Sequence, residues 1–280
     1  MTAPTILVTG AFGLLGPYLT DAAGSVGAVV ASGRSDGVAC DLTQAGEVRR
    51  LLDHAQPDII LHAAALTDVD ACERDPARAD QLNRGIVANV VAEITRETMF
   101  VLFSTDQVYP DSVGPHAVGT EDPVNAYGRS KLAGEGAARS HGRSLVLRTN
   151  LFGPSQTRGR ESLSDFVARR LSSSEGADLF VDVLFSPLHM ATLAALALEV
   201  AAMGLTGVFN AGSREGMSKY DFGIAVADQL NLPTSEARPA RSDDLPARAP
   251  RPHDLRLDVG TFEASLGRVM PTLLDEVQKL

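Results

Sequence analysis

Thr5-Ile6-Leu7-Val8-Thr9-Gly10-Ala11-Phe12-Gly13-Leu14-Leu15-Gly16 is the stretch on which the fold turns. Its first five residues are apolar or β-branched with no alternation, which suits a strand covered on both faces in a parallel sheet. Three glycines follow at G-x-x-G-x-x-G spacing, and Leu14 to Ala23 reads as helix. Glycines in a strand-to-helix turn let the backbone approach a pyrophosphate, and the helix N-terminus supplies amide donors and the positive end of a dipole. The spacing differs from G-x-G-x-x-G, so the reading leans on the strand before the turn and the helix after it.

Working outward, Gly27 to Ser32 is a second apolar strand. At its end an NAD enzyme carries an acid for the ribose 2′-hydroxyl. Here Ser32-Gly33-Arg34 stands instead, and Arg34 suits a 2′-phosphate, favouring NADP(H), with NAD(H) as the alternative. Gly33 to Gly37 also matches G-x-S-x-G, but that elbow requires a helix directly after its serine, and Val38 to Leu42 reads as extended. Thr43 is expected to cap a helix to His54. Asp58 to His62 is a third strand running into Ala63-Ala64-Ala65, small enough for a flat ligand to lie against the backbone. The periodicity predicts one helix over Pro76 to Thr98, with Leu82, Ile86, Val90 and Ile94 on one face. Met99 to Phe103 and Ser144 to Arg148 complete five strands. Apolar strands alternating with helices define an α/β fold, a doubly wound parallel sheet of the Rossmann kind that binds ligands beyond the carboxyl ends of its strands.

Beyond Gly153-Pro154 the pattern changes. Helices are expected at Leu163 to Leu171, Met190 to Met203 and Lys219 to Leu230, with a short strand at Val208 to Asn210. Ser172 to Gly176 reads as a loop, and Pro233 to Pro252 as a long surface loop. The division is a dinucleotide-binding domain over 1–152 and a smaller, partly interleaved lobe over 153–280 that covers the crevice.

Chemistry is expected at Asn125-Ala126-Tyr127-Gly128-Arg129-Ser130-Lys131. The chain has four Tyr and three Lys, and here one of each stands four apart. Asn125 is a good N-cap for a helix from Ala126 to Ser140, on which positions i and i+4 share a face. An ammonium beside a phenol favours the phenolate, so Lys131 is expected to lower the pKa of Tyr127 and make it a general acid or base.

Composition narrows the partners. The 280 residues carry a formal charge of −10 with no basic stripe, which disfavours nucleic acid and anionic membranes. An anionic substrate would then need a local arginine-rich pocket. Cys40 and Cys72 form no CxxC pair and the six His never fall at ligand spacing, so no metal site is expected. No leader-like segment is seen at Met1 to Pro4 and no apolar run is long enough for a bilayer, so a cytoplasmic enzyme is expected.

These landmarks resemble the extended short-chain dehydrogenase/reductase family, and within it the dTDP-4-dehydrorhamnose reductase group, to which the regulatory β subunit of methionine adenosyltransferase is also similar. The residues that carry the resemblance are the Gly10 to Gly16 turn, Asp41-Leu42, Pro57 to Ala65, Ser104 to Tyr109, Tyr127 to Glu135, Ser218-Lys219-Tyr220 and Arg251-Pro252 through Leu257-Asp258. The resemblance implies that Phe12, Gly13, Leu14 and Leu15 lie under the pyrophosphate, Asp41 and Leu42 beside the adenine, and Ala63 to Ala65 along the cofactor. It implies that Tyr127 protonates a sugar ketone as hydride arrives, that Lys131 bonds the nicotinamide ribose, and that Thr105 orients the substrate oxygen. Asp106, Gln107, Asn150 and Leu151 join the substrate side. Family members are often dimers, so a homodimer is expected. Two departures stand out: Gln107 replaces an aromatic residue, and Asp182 to Leu188 replaces an Asp-Gln-x-Gly-x-Pro-Thr segment. Both are expected on the substrate side, which shifts the expected substrate from dTDP-4-dehydrorhamnose toward another nucleotide-linked keto-sugar. A cofactor-binding regulatory subunit without turnover and a nucleotide-sugar epimerase are the alternatives.

Overall fold

The computed structural model describes residues 3–173, 175–244 and 248–280. Its centre is a seven-stranded sheet built from β1 (Thr5–Thr9), β2 (Ala28–Gly33), β3 (Val38–Ala39), β4 (Ile59–His62), β5 (Met99–Thr105), β6 (Ser144–Thr149) and β7 (Gly207–Asn210). The spatial order is β7-β6-β5-β4-β1-β2-β3 and every pairing is parallel. This is the doubly wound order, which reverses between β1 and β4.

The unbroken apolar strands are explained by cover on both faces. Ile6 and Val8 join one core with Leu19, Leu193 and Ala197, while Leu7 joins another with Leu51, Val87 and Ala138. The strand expected at Val208 to Asn210 is the seventh strand of this sheet, and the Met190–Ala202 helix packs in the same core as β1. Chain from beyond residue 152 thus completes the first layer structure. A third core, with Phe152, Val167, Leu179, Phe222 and Val226, holds the remaining C-terminal segments.

Two expectations are corrected. The helix expected over Pro76 to Thr98 runs without a gap from Pro76 but carries a π turn at Gln81–Gly85 and ends at Glu93. Asn83 lies within the π turn. Its side chain accepts from Leu66 N (2.8 Å) and donates to Leu66 O (3.0 Å) and Ser130 Oγ (2.9 Å), pinning the loop after β4 to the helix of Tyr127. Second, Pro233 to Pro252 is not all loop, because Ala237–Ala240 pairs in parallel with Ala177–Phe180. Within the loop expected at Ser172 to Gly176, Ser174 lies outside the described residues, as do residues 245–247 and Met1-Thr2. No helix among the described residues is long and apolar enough to cross a membrane.

Candidate active site

Gly10 ends β1 with φ +71°, and a Cβ there would stand 2.7 Å from Ala64 N and 2.8 Å from Ala63 C. Only glycine lets the turn and the loop after β4 touch at the switch point. Gly13 follows in the turn, and Gly16 opens the Gly16–Gly24 helix with its Cα against the Ala11 carbonyl. Leu15 is buried, Leu14 packs on the sheet core, and the Phe12 ring lies against Gly33 and Gly37. Arg34 is exposed just past β2, close enough to Asp41 for its charge to help hold that carboxyl down after the Thr43 hydrogen bonds. The Leu42 side chain belongs to the core, and its carbonyl accepts from Asn89 Nδ2 at 2.9 Å.

The second cluster stands beyond β5. Asn125 caps the Ala126–Arg139 helix, its Oδ1 accepting from Gly128 N at 2.8 Å. Gly128 has no room for a side chain: a Cβ would run into the Gln107 carbonyl and stand 2.8 Å from Pro123 Cβ. This close approach sets Tyr127 beside Thr105. The Tyr127 ring is buried with Cys72 and Ala126 under the Val69–Arg74 helix.

The electrostatics differ from expectation. Lys131 Nζ donates to the Phe103 carbonyl at 2.7 Å and is not among the charges acting on Tyr127. Burial pushes the Tyr127 phenol above its ordinary value; the Thr105 hydroxyl works against this, and Asp106 and Cys72 add to it. Sharing a helix face did not determine where a four-carbon stem would point. Burial pushes Lys131 down to about 8, against the upward pull of Glu135. A folded-state pKa below the ordinary 10.5 penalises the charged form, so this group's contribution is full above 10.5 and lost as pH falls through 8. Lys131→Met is therefore expected to raise stability at pH 7 by about 1–3 kcal/mol, with the gain fading between pH 8 and 10.5. Urea unfolding at pH 7 and pH 10 measures it, and a loss at pH 7 contradicts it.

Asp106 is buried, and desolvation pushes its pKa to about 6 despite hydrogen bonds from Asn150 and Thr105 and the nearby Lys219. Asn150 Nδ2 donates to it at 2.6 Å and Thr105 Oγ1 at 3.1 Å. Leu151 does not join them: it pairs with Leu188 and packs on the sheet core.

Beside this cluster opens a cavity of about 370 Å³ whose walls include Gln107, Phe180, Val183, Lys219, Arg248 and Arg251. Lys219 opens the Lys219–Gln229 helix, 5.9 Å from the centroid of Phe180. Burial lowers its pKa while Asp106 raises it and Arg251 and Arg248 lower it, so three cations gather here. Arg251 pairs with Asp70 at 2.9 Å, whereas Lys219 and Arg248 have no ion pair among the described residues. The segment from Ala249 to His253 is clasped over the cavity by Asp70, Asn125 and Asp111.

Lys219 and Arg251 carry the family resemblance in the sequence, but their gathering with Arg248 does not show there. The available signal is the arginine-rich stretch between Pro233 and Pro252, the kind of local pocket an anionic ligand of this acidic chain would need. The other departure is placed differently from expectation: Phe185 is core, edge-on to Phe222 at 5.3 Å, and Val183 is the residue of that segment that reaches the cavity. Among the described residues Asp182, Asp243 and His253 also come together, a grouping that their wide separation hid. Its polar atoms are already engaged: His253 bridges Asp111 and Asp243, and Asp182 accepts from Ser242.

Sheet order and glycine turn together define a doubly wound α/β protein whose strand order reverses between β1 and β4. The chain belongs to the RmlD substrate binding domain family, whose model matches residues 4–280. It is 32% identical to a probable low-salt glycan biosynthesis reductase, Agl14, of Haloferax volcanii, across 98% of this chain and 96% of that protein. It is 34% identical to the dTDP-4-dehydrorhamnose reductase of Mycolicibacterium smegmatis, across 89% of this chain and 76% of that one. The dTDP-4-dehydrorhamnose reductase of Bacillus anthracis, solved in complex with NADP, superposes with a TM-score of 0.90 over 100% of this chain and 98% of its own, at 22% identity. That likeness carries the fold.

Proposed function

We propose that the chain is an NADP(H)-dependent reductase of a nucleotide-activated 4-keto-deoxysugar. The observation that carries the reading is the grouping of Tyr127 with Thr105 and Asp106, next to a cavity in which Lys219, within reach of the Asp106 charge, is an unpaired cation among the described residues. In this reading a dinucleotide sits at the turn because Gly10, Gly13 and Gly16 allow a tight strand-to-helix connection at the N-terminus of the Gly16–Gly24 helix, and Arg34 is exposed just past β2. The cations suit the diphosphate of a sugar nucleotide. The family relatives named as reductases support the reaction type.

Reducing a ketone takes a hydride to carbon and a proton to oxygen. The hydride is what a reduced nicotinamide supplies when bound. The proton is Tyr127's to give, and its raised pKa keeps the phenol protonated, the form that donation requires. Thr105 Oγ1 accepts from Gln107 N at 3.2 Å and donates to Asp106 at 3.1 Å, which fixes the hydroxyl that partners Tyr127. In the same reading Lys131, whose Nζ donates to the Phe103 carbonyl, takes the part of bonding the ribose of the cofactor.

The test is oxidation of NADPH with a panel of nucleotide 4-keto-sugars. Turnover with at least one, and an NADPH-over-NADH preference that Arg34→Asp lowers about 10- to 100-fold, is the expected result. NADPH binding with no sugar reduced would favour a regulatory subunit, and a sugar inverted with the nicotinamide returned unchanged would favour an epimerase.

A further inference from the structure

The cap of the Tyr127 helix settles the polarity of the cavity wall next to it. Asn125 Oδ1 takes Gly128 N–H, so this end must be oxygen and the other must be the amide nitrogen. That nitrogen donates to Pro250 O at 2.9 Å and to the Gln107 side chain at 3.0 Å. A donor facing Gln107 requires an acceptor in return, so Gln107 turns Oε1 to Asn125 and its Nε2 the other way. Among the described residues Nε2 has no partner, it is not among the sealed buried polar atoms, and Gln107 lines the cavity. One backbone N–H thus orients two amides in series and leaves Gln107, a residue of the cavity wall next to Asp106 in the chain, with a two-proton donor unpartnered among the described residues.

We infer that Gln107 is a specificity-determining residue that donates a hydrogen bond to an oxygen of the sugar, selecting a hydroxylated sugar over its deoxy counterpart. This rests on the reductase reading of the same site. A buried donor that a ligand leaves unpaired costs more than a missing apolar contact, so discrimination should be substantial. A phenylalanine at this position would offer no such donor.

The experiment uses sugar nucleotides that differ by one hydroxyl at a carbon flanking the reacting one, both as 4-ketones in turnover and as reduced products in equilibrium binding. Wild-type protein is expected to prefer one hydroxylated member about 10- to 100-fold in kcat/KM and in Kd. Gln107→Glu keeps the acceptor toward Asn125 and removes the donor; Gln107→Met removes both. In each, the preference is expected to fall to about threefold or less, with near-native unfolding midpoints for the first. Equal treatment of every pair by wild-type protein, or an undiminished preference in both variants, overturns the inference and leaves the reductase standing. Binding that discriminates through Gln107 without reduction of any sugar supports the inference and sinks the reductase reading.

Discussion

Tyr127→Phe lowers kcat for sugar reduction by about 10³-fold while leaving the affinity for NADPH nearly unchanged. Positioned proton transfer is worth about 10²–10⁴ in rate, and the hydroxyl is the only atom removed. The cost to folding should stay below about 1 kcal/mol, because among the described residues Thr105 is the one hydrogen-bond partner acting on that oxygen. The pH profile gives an independent check. A phenol whose pKa is raised remains protonated through neutral pH, so it sets no limb there. The limbs belong to Asp106, which ionises as pH rises through about 6, and to Lys131, which loses its charge through about 8. Tyr127→Phe should therefore lower the whole profile without moving either limb. Full activity in this variant would dismiss Tyr127 as proton donor, and a wild-type limb that disappears in the variant would mean the phenol titrates after all.

The second large effect is on stability. Glu135→Ala should cost about 3–5 kcal/mol, or roughly 10 °C in Tm. Arg148 is 2% exposed and reaches Glu135 with Nη2 at 2.6 Å and Nε at 3.0 Å. It also pairs with Glu121 and donates to the Tyr109 hydroxyl at 2.9 Å, which in turn donates to Asn210 at 2.7 Å. Ser104 donates to Glu135 from the end of β5. Removing Glu135 leaves a buried guanidinium with half its countercharge, whereas replacing the pair together with Leu and Met should cost far less than the sum of the single losses. Thermal unfolding of the two single variants and the double variant measures this, and additive costs would dismiss the coupling. Glu135 also holds the Lys131 pKa up, so Glu135→Ala should move the alkaline limb to lower pH.

Both predictions draw on features with different visibility in the sequence. The strands were legible because burial on both faces demands unbroken apolar runs, and Thr5–Thr9 has the bounds its composition implies. The Tyr127 helix was legible because Asn125 is a strong cap. The π turn at Gln81–Gly85 was not, since apolar periodicity continues through it and Asn83 within it bonds residues 17 and 47 positions away. Phe185 and Val183 are two residues apart, and only the fold shows which faces the core.

By itself the sequence determined the class of sheet, the glycine turn and the pairing of a tyrosine with a lysine on one helix, because these follow from local sterics and from which residues water excludes. The tertiary structure alone decided where the charges went. It turned Lys131 to a backbone carbonyl, buried Asp106 until its pKa rose, and gathered Lys219, Arg248 and Arg251 around one cavity. Charge interactions depend on distance and desolvation between residues remote in sequence, and neither exists until the chain has folded.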